Sequence, residues 1–262
     1  MIGAVIGDIV GSVFEFDNLR VLDFPLFSSA STFTDDSVLT FATASVLLAN
    51  GDYTATYQDF SRRYQGRGYG GNFWQWIYSD DPKPYNSFGN GSAMRVSPVG
   101  FAFENLEETL AEAKRSAEVT HNHPEGIKGA QATAQVIFMA RKGASKAEIK
   151  QEIMQRYGYD LSRPLDLIRE VNEFNETCQG SLPEAISVFL EGEDYEHTIR
   201  LAVSIGGDTD TIACIAGGMA QAFYGSIPAR MMDAARRRLP AELIDILERF
   251  YARFPAASPL LI

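Results

Sequence analysis

Two short segments of the chain are rich in oxygen-bearing side chains and contain no basic residue. They are Thr34-Asp35-Asp36-Ser37 near the N-terminus and Gly206-Gly207-Asp208-Thr209-Asp210-Thr211 in the C-terminal third. Hard divalent cations such as Mg²⁺ prefer carboxylate, hydroxyl, carbonyl and water oxygens as ligands. Although about 170 positions separate the two segments, we expect the fold to bring them together around divalent cations.

Helix capping is the alternative explanation for each segment taken alone. Asp208 would then cap the predicted helix Thr211–Phe223, and the acids after Thr34 would begin another helix, because acidic residues are favoured in the first helical turn. Capping does not account for Gly206 and Gly207, since glycines let a backbone or a ligand approach closely. The presence of both segments in one chain favours metal binding.

A third pair of acids, Asp8 and Glu15, lies in an apolar stretch near the N-terminus. Seven residues correspond to about two turns of a helix, so the two carboxylates are expected on one helical face. A solvated edge of that helix is the alternative interpretation.

The segment from Gly89 to Arg95 is rich in glycine and would hold a phosphate group through its backbone N–H groups. It matches neither a Walker loop nor a dinucleotide fingerprint, and a structural role for Arg95 is the alternative. It belongs to a glycine- and aromatic-rich stretch, residues 64–95, which we interpret as an irregular binding loop. His121 and His123 lack partners at zinc-site spacing, so we expect them to cap helices or to bind a polar ligand.

The rest of the chain has helical periodicity, and alternating strand patterns are scarce. We therefore predict a compact, single-domain, all-α fold with an orthogonal arrangement of about ten helices, spanning residues 1–262. The predicted helices are Ile2–Phe14, Val38–Ala49, Leu106–Ala117, Ile127–Ala140, Lys146–Tyr157, Leu165–Phe174, Ala185–Leu190, Tyr195–Val203, Thr211–Phe223, Ala229–Arg238 and Ala241–Phe254.

Composition narrows the classes of partner. The formal net charge of −11 argues against nucleic-acid backbones and anionic membranes as main partners. No stretch approaches the roughly 18–20 apolar residues of a membrane span, and no signal peptide is apparent. The two cysteines, Cys178 and Cys214, indicate no disulfide framework. We expect a cytoplasmic monomer.

Taken together, five ordered motifs resemble those of the ADP-ribosylglycohydrolase family, which includes the dinitrogenase-reductase-activating glycohydrolases and the ADP-ribosyl-acceptor hydrolases. The match runs from Met1 to about Gly225. Its motifs are Gly-Asp-x-x-Gly-x-x-x-Glu at 7–15, Thr-Asp-Asp-Ser at 34–37, Gly-Asn-Gly-Ser-Ala-Met-Arg at 89–95, Thr-His at 120–121 and Gly-Gly-Asp-Thr-Asp-Thr at 206–211.

The resemblance implies an all-α hydrolase that removes ADP-ribose from a modified arginine or serine at a centre of two Mg²⁺ or Mn²⁺ ions. Glu15 matches an acid beside the metals. The implied metal ligands are Thr34, Asp35, Asp36, Asp208, Asp210 and Thr211. The residues that match the ADP-ribose-binding segments are Ser87, Gly89, Asn90, Gly91, Met94 and His121.

This chemistry agrees with the residue types. Cleavage at the anomeric carbon of ribose passes through an oxocarbenium-like state, and a carboxylate must take or give a proton. Glu15 is the first candidate for that role and Asp35 the second. Phe88, or a neighbouring aromatic residue, would stack on adenine.

Two competing interpretations remain. The first is a catalytically silent ADP-ribose-binding or scaffold relative, and the presence of all six implied ligands together with Glu15 argues against it. The second is a hydrolase of another ADP-ribose conjugate, such as the O-acetyl ester, a modified nucleic-acid end or a free nucleotide.

Overall fold

The computed structural model describes residues 1–262, and nearly all of its regular structure is helical. The all-α fold class is confirmed, with fifteen α-helices where about ten were expected. The boundaries 1 and 262 assigned to the domain stay a prediction. In chain order the helices are α1 (Ile2–Gly11), α2 (Asp35–Ala49), α3 (Tyr53–Arg63), α4 (Gly71–Ile77), α5 (Gly91–Met94), α6 (Ser97–Ala102), α7 (Leu106–Glu118), α8 (Pro124–Arg141), α9 (Lys146–Tyr157), α10 (Leu165–Val171), α11 (Cys178–Glu191), α12 (Tyr195–Ser204), α13 (Thr209–Tyr224), α14 (Ala229–Arg236) and α15 (Ala241–Arg253).

The ends of the chain share one apolar core. A single cluster of buried apolar side chains includes Met1 at the start of the chain and Ala257 near its end. Two short strands, β1 (Ser226–Ile227) and β2 (Leu260–Leu261), pair in parallel and tie the C-terminal segment to the end of α13. None of the helices combines the length and the apolar character that crossing a bilayer requires.

Helix α1 is buried on every side and packs along α13. Gly3, Gly7 and Gly11 recur every four residues, so they share one face of α1. A Cβ atom at Gly7 would lie 2.0 Å from the carbonyl oxygen of Ala213, and one at Gly11 would lie 2.4 Å from that of Thr209. These glycines therefore allow the backbones of α1 and α13 to come closer than residues with a side chain would. The close contact fixes the start of α13 beside the end of α1.

Helices α2 and α13 begin at the two acidic segments. Thr34 is the N-cap of α2, and its hydroxyl oxygen accepts the backbone N–H of Asp36 at 3.3 Å. Asp208 occupies the N-cap position of α13, but its carboxylate accepts no capping hydrogen bond there. Capping therefore accounts for Thr34 and leaves the carboxylate of Asp208 available to the site. The predicted starts, Val38 and Thr211, were a few residues too late.

Two predicted helices end three residues earlier than expected, while α14 and α15 end two residues and one residue early. Helix α1 stops at Gly11 rather than Phe14, where the backbone N–H of Phe14 donates to the carbonyl of Gly11, three residues back instead of the four of an α-helix. Helix α10 stops at Val171 rather than Phe174, and the side-chain amide of Asn172 donates to the carbonyl of Gly206. Both ends release loop residues that reach the cavity described below.

Other differences concern helices that were missed or shortened. Helix α11 begins at Cys178 rather than Ala185, because Thr177 caps it and Pro183 is accommodated inside it. Helix α3 has buried residues Tyr53, Tyr57 and Phe60 on one face and was not predicted. Helices α4 and α5 interrupt the stretch 64–95, which was expected to be irregular.

Candidate functional site

A cavity of about 410 Å³ opens where the starts of α2 and α13 meet the segment that leads into α5. Arg95 is the only lysine or arginine in its wall. The wall includes all the predicted site residues except Thr34 and Phe88, and their roles stay predictions. The predicted residues that it brings together are Glu15, Asp35, Asp36, Ser87, Gly89, Asn90, Gly91, Met94, His121, Asp208, Asp210 and Thr211.

One part of the wall carries an acidic cluster, defined here as Glu15, Asp35, Asp36, Asp208 and Asp210. Carboxylate oxygens of Glu15, Asp208 and Asp210 lie within 4.8 Å of one another. The hydroxyl group of Thr211 donates to Oδ2 of Asp36 at 3.3 Å, which links the starts of α13 and α2. The two acidic segments therefore converge as the sequence predicts.

The acidic cluster lacks compensating positive charge. Burial, together with the charges of Asp208 and Asp8, raises the pKa of Glu15 to about 7. Burial and the charge of Asp36 hold the pKa of Asp210 well above its ordinary value. The Oδ1 atom of Asp36 is buried and has no hydrogen-bond partner. The cluster therefore offers hard oxygen atoms, one of them a carboxylate oxygen without a partner, and it lacks positive charge. This composition suits the binding of divalent cations.

Asp8 lies outside the cavity wall and binds residues at the start of α2, next to the acidic cluster. Its carboxylate accepts hydrogen bonds from the hydroxyl group and backbone N–H of Thr34, at 2.7 and 3.0 Å, and from the same two groups of Ser37. The interpretation of Asp8 as part of a solvated edge was wrong, because the residue is fully buried. The shared helical face was also wrong, because α1 ends before Glu15.

Gly206 and Gly207 both adopt positive φ angles, 68° and 81°, which glycine tolerates best. The side chains of Arg20 and Asn172 come close to them. The guanidinium of Arg20 donates to the carbonyl of Ile205 at 2.7 Å, and the Asn18 amide group both accepts from the backbone N–H of Gly207 and donates to its carbonyl. These contacts, with that of Asn172, hold the loop after α1 against the turn before α13.

The glycine-rich loop, residues 87–91, is attached to the acidic cluster by Asn90. The side-chain amide of Asn90 donates to Oδ2 of Asp208 at 2.7 Å and to Oγ of Ser181 at 2.9 Å. The backbone N–H of Asn90 donates to the carbonyl of Glu176 at 2.7 Å. An antiparallel bridge between Gly89 and Thr177 continues this connection. The loop therefore has a defined position beside the acids.

The two histidines near α8 have different environments. Nδ1 of His123 accepts the backbone N–H of Glu125 at 3.1 Å, which confirms the prediction of a capping histidine. His121 is buried beneath the glycine-rich loop, and burial lowers its pKa well below the ordinary value. Arg95 is fully buried, donates to Thr120 and lies 4.4 Å from the centre of the Tyr57 ring. Its structural role is therefore supported.

Several positions differ from the sequence-based expectations. Thr34 lies outside the cavity wall and donates to Asp8, while Phe88 lies outside it with its ring 5.3 Å from that of His123. Aromatic residues that were not predicted do reach the wall, and the rings of Phe16 and Phe174 pack against each other there with their centres 5.8 Å apart. Phe16 directly follows a predicted site residue, which was the available signal. Phe174 was predicted to end a helix, and the sequence gave no signal that it would reach the cavity wall.

The sequence profile of the ADP-ribosylglycohydrolase family matches residues 1–259. The chain belongs to this family. It is 27% identical to ADP-ribosylhydrolase ARH3 of Mus musculus over 85% of this chain and 82% of that protein. It is also 26% identical to ADP-ribosylarginine hydrolase Tri1 of Pseudomonas putida (strain GB-1), over 86% of this chain and 69% of that protein.

A solved structure supports the same assignment for this ADP-ribosylglycohydrolase. The structure is described as an ADP-ribosylglycohydrolase-related protein complex, with a TM-score of 0.74 and 27% identity over 96% of this chain and 95% of the other. Family membership confirms the predicted enzyme class, a hydrolase that acts on glycosyl bonds. The profile also covers residues beyond Gly225, where the resemblance of the motifs ended.

Proposed function

We propose that this enzyme is a metal-dependent hydrolase that releases ADP-ribose from a modified acceptor, with protein arginine as the favoured linkage and serine as the second. The observation that carries the proposal is the contact between the acidic cluster and the glycine-rich loop through Asn90 and Asp208. It joins the carboxylates proposed to hold cations to a loop suited to phosphate, which supports a shared site in one cavity. The name of the Pseudomonas putida relative supports arginine as the first linkage to test.

The donor set fits two divalent cations, Mg²⁺ or Mn²⁺. Thr34 and Thr211 offer hydroxyl oxygens that approach Oδ2 of Asp36 at 3.5 and 3.3 Å, and Oδ1 of Asp36 has no partner. When bound, such cations polarise ribose hydroxyl groups and lower the pKa of a bound water. The residues that would hold them are Thr34, Asp35, Asp36, Asp208, Asp210 and Thr211.

Glu15 is the proposed proton carrier. It lies in the turn after α1, half-buried at the cavity wall, and in the metal-free protein burial and the charges of Asp208 and Asp8 raise its pKa to about 7, so its carboxyl group holds a proton more readily than an exposed one does. Asp35 is the second candidate, and burial followed by the charge of Asp8 holds its pKa well above the ordinary value. Either carboxylate would serve a reaction in which positive charge develops on the ribose ring.

The glycine-rich loop and its neighbours are proposed to hold the ADP-ribose group. The residues involved are Ser87, Gly89, Asn90, Gly91 and Met94, with His121 beneath them. Phe88 lies within the loop and is 44% exposed, so its ring is accessible for stacking on adenine. The acidic protein would bind this anionic ligand through local donors and cations rather than through its overall charge.

Release of free ADP-ribose is the direct test. Peptides with arginine-linked or serine-linked ADP-ribose would be incubated with the enzyme in Mg²⁺, in Mn²⁺ or in EDTA, and the products separated by chromatography. We expect release that depends on the metal. No release from either peptide, with ADP-ribose still bound in calorimetry, would favour a hydrolase of another ADP-ribose conjugate or a binding protein.

Asp210→Ala tests the role of the acidic cluster. Turnover should be lost while the helical circular-dichroism signal is kept. Asp245→Ala is the matched control, because Asp245 lies on α15 with a side chain that is 66% exposed. Full activity of Asp210→Ala would remove the metal role from the proposal. Sedimentation would test the expected monomer separately.

A further inference from the structure

Three buried side chains, those of Arg95, Thr120 and His121, form a connected line beneath the glycine-rich loop. Nη2 of Arg95 donates to Oγ1 of Thr120 at 2.8 Å and to the carbonyl oxygen of Ser116 at 3.0 Å. Oγ1 of Thr120 lies 2.7 Å from Nδ1 of His121. Arg95 and Thr120 are fully buried and His121 is 5% exposed. The hydroxyl hydrogen of Thr120 therefore needs an acceptor inside the protein.

The hydrogen-bonding capacity of these groups determines the direction of each bond. A guanidinium group only donates, so Thr120 accepts from Arg95. The Thr120 hydroxyl has one hydrogen, and Nδ1 of His121 is the acceptor that it reaches. If Nδ1 carried a hydrogen, two donors would face Thr120 and its own buried hydrogen would lose its acceptor, which is unfavourable. The same objection applies to the imidazolium form, in which both ring nitrogens carry hydrogen.

We propose that Arg95 and Thr120 are positioning residues that hold His121 as the neutral tautomer with its hydrogen on Nε2. Nε2 is the ring nitrogen that faces the loop, since a Cβ atom at Gly91 would lie 3.1 Å from it and one at Gly89 would lie 3.6 Å away. Nδ1 is occupied by Thr120, so Nε2 is the atom that His121 can offer to a ligand. His121 therefore presents one N–H donor of fixed direction to the cavity.

For the identity of the ligand, the inference rests on the proposed function. Hydroxyl and diphosphate oxygens of ADP-ribose are acceptors and would receive a hydrogen bond from Nε2–H. A nitrogen lone pair at the same place would repel those oxygens. Burial and the nearby charge of Arg95 both disfavour a proton on Nδ1 in addition to that on Nε2. Arg95 and Thr120 thus decide, through Nδ1, whether Nε2 of His121 can donate to the ligand.

Nitrogen-15 NMR of the unliganded protein tests the tautomer directly. The chain has only three histidines, so His123→Gln and His197→Gln assign the remaining ring to His121. We expect a protonated Nε2 and an unprotonated Nδ1 near neutral pH. A hydrogen on Nδ1 of His121, in either the other tautomer or the imidazolium, would overturn the inference. This measurement requires no activity and no bound metal.

Variants of Thr120 test the consequence for binding. Thr120→Val removes the hydroxyl at nearly constant shape, so the tautomer should become mixed and the affinity for ADP-ribose should fall about tenfold by calorimetry. Thr120→Ser keeps the hydroxyl and should restore both. Thr133→Val is the matched control, because Thr133 is buried on α8 and its hydroxyl has no partner.

The outcomes separate the inference from the proposed function. A folded Thr120→Val protein that keeps the wild-type tautomer of His121 and the wild-type affinity for ADP-ribose would overturn the positioning role of Thr120. If Thr120→Val does not fold, the NMR spectrum of the wild-type protein still decides the tautomer of His121. Thr120→Ser then tests whether the hydroxyl alone keeps the tautomer and the affinity for ADP-ribose. If ADP-ribose does not bind the wild-type protein, the proposed function fails, while the NMR result still decides the tautomer.

Discussion

The side-chain amide of Asn90 donates to Oδ2 of Asp208 at 2.7 Å, and both residues are only 6% exposed. This bond joins the loop proposed to hold ADP-ribose to an acid proposed to hold metal. The second amide hydrogen of Asn90 is used by Ser181. Because the bond fixes both partners, binding at the loop and binding at the acidic cluster should depend on each other.

Asn90→Ala should weaken both kinds of binding. The substitution leaves the buried Oδ2 of Asp208 without its donor and frees the loop to move. Removal of a residue that orients a metal ligand commonly lowers metal affinity by about 10–100-fold. Calorimetry with Mn²⁺ and with ADP-ribose would measure the two losses. Ser181→Ala is the control, since it removes the other partner of the same amide and should bind both nearly normally. Wild-type Mn²⁺ affinity in Asn90→Ala would contradict this prediction.

Asp8→Asn should displace the start of α2. An amide nitrogen replaces one carboxylate oxygen, so some of the four donors from Thr34 and Ser37 would lose their acceptor in a fully buried position. We expect a loss of about 1–3 kcal/mol in the free energy of unfolding, together with weaker metal binding. Urea denaturation and Mn²⁺ titration would measure them. Asp17→Asn is the nearby exposed control, and equal behaviour of the two variants would count against a supporting role for Asp8.

The acidic cluster should make the stability of the metal-free enzyme depend on pH. Burial raises the pKa of Asp8 to about 6 and that of Glu15 to about 7, from ordinary values of 3.8 and 4.5. The folded state therefore binds more protons than the unfolded state between these values. The stabilising contribution is complete below the unfolded pKa values and is lost as the pH rises through the folded ones. The Tm of EDTA-treated protein should fall between about pH 4 and pH 7.

Added divalent cation should reverse this trend. A cation favours the ionised carboxylates, so the gain in Tm on adding Mg²⁺ or Mn²⁺ should be larger near pH 8 than near pH 5. Thermal denaturation at both pH values, with a monovalent salt at matched ionic strength as the control, would measure the gain. An equal gain in Tm at both pH values would show that the carboxylates whose pKa values are raised do not bind the cation.

Gly7→Ala should separate α1 from α13. The new Cβ atom would lie 2.0 Å from a backbone oxygen of α13, which cannot move without shifting the helix. We expect a loss of about 3 kcal/mol in the free energy of unfolding, only partly offset by the higher helix propensity of alanine, about 1 kcal/mol. Denaturant titration would measure it. Gly51→Ala is the control, since the nearest atoms there are 3.9 Å away. A Gly7→Ala protein as stable as this control would disprove the close-contact argument.

The sequence predicts the long helices well where local signals are strong. Helix α9 has the predicted bounds, because Ser145 and Glu148 form a capping box and Gly158 adopts a left-handed C-cap. Helix α3 was missed because its buried face is made of Tyr53, Tyr57 and Phe60, residue types with no strong helical preference. Tertiary packing decides such a helix, although the spacing of these aromatics was a usable signal.

The site was predictable in its residue types and less so in its geometry. Acids without basic neighbours indicated convergence, and the structure brings Asp36 and Asp210 to one wall. The role of Asp8 was not visible, because its four hydrogen bonds come from a segment 26 to 29 positions away. The early end of α1 places Glu15 in a turn, so the prediction that Asp8 and Glu15 share one helical face was wrong.

The burial of α1 against α13 has a consequence for synthesis of the protein on the ribosome. The contact joins positions 198 apart, which at about 5–20 residues per second leaves roughly 10–40 s between the emergence of the two helices. During that interval the nascent chain exposes an apolar helix whose partner has not yet been translated. Nascent chains stalled before Thr209 should therefore bind hydrophobic-segment chaperones through α1 and should release them once α13 is complete.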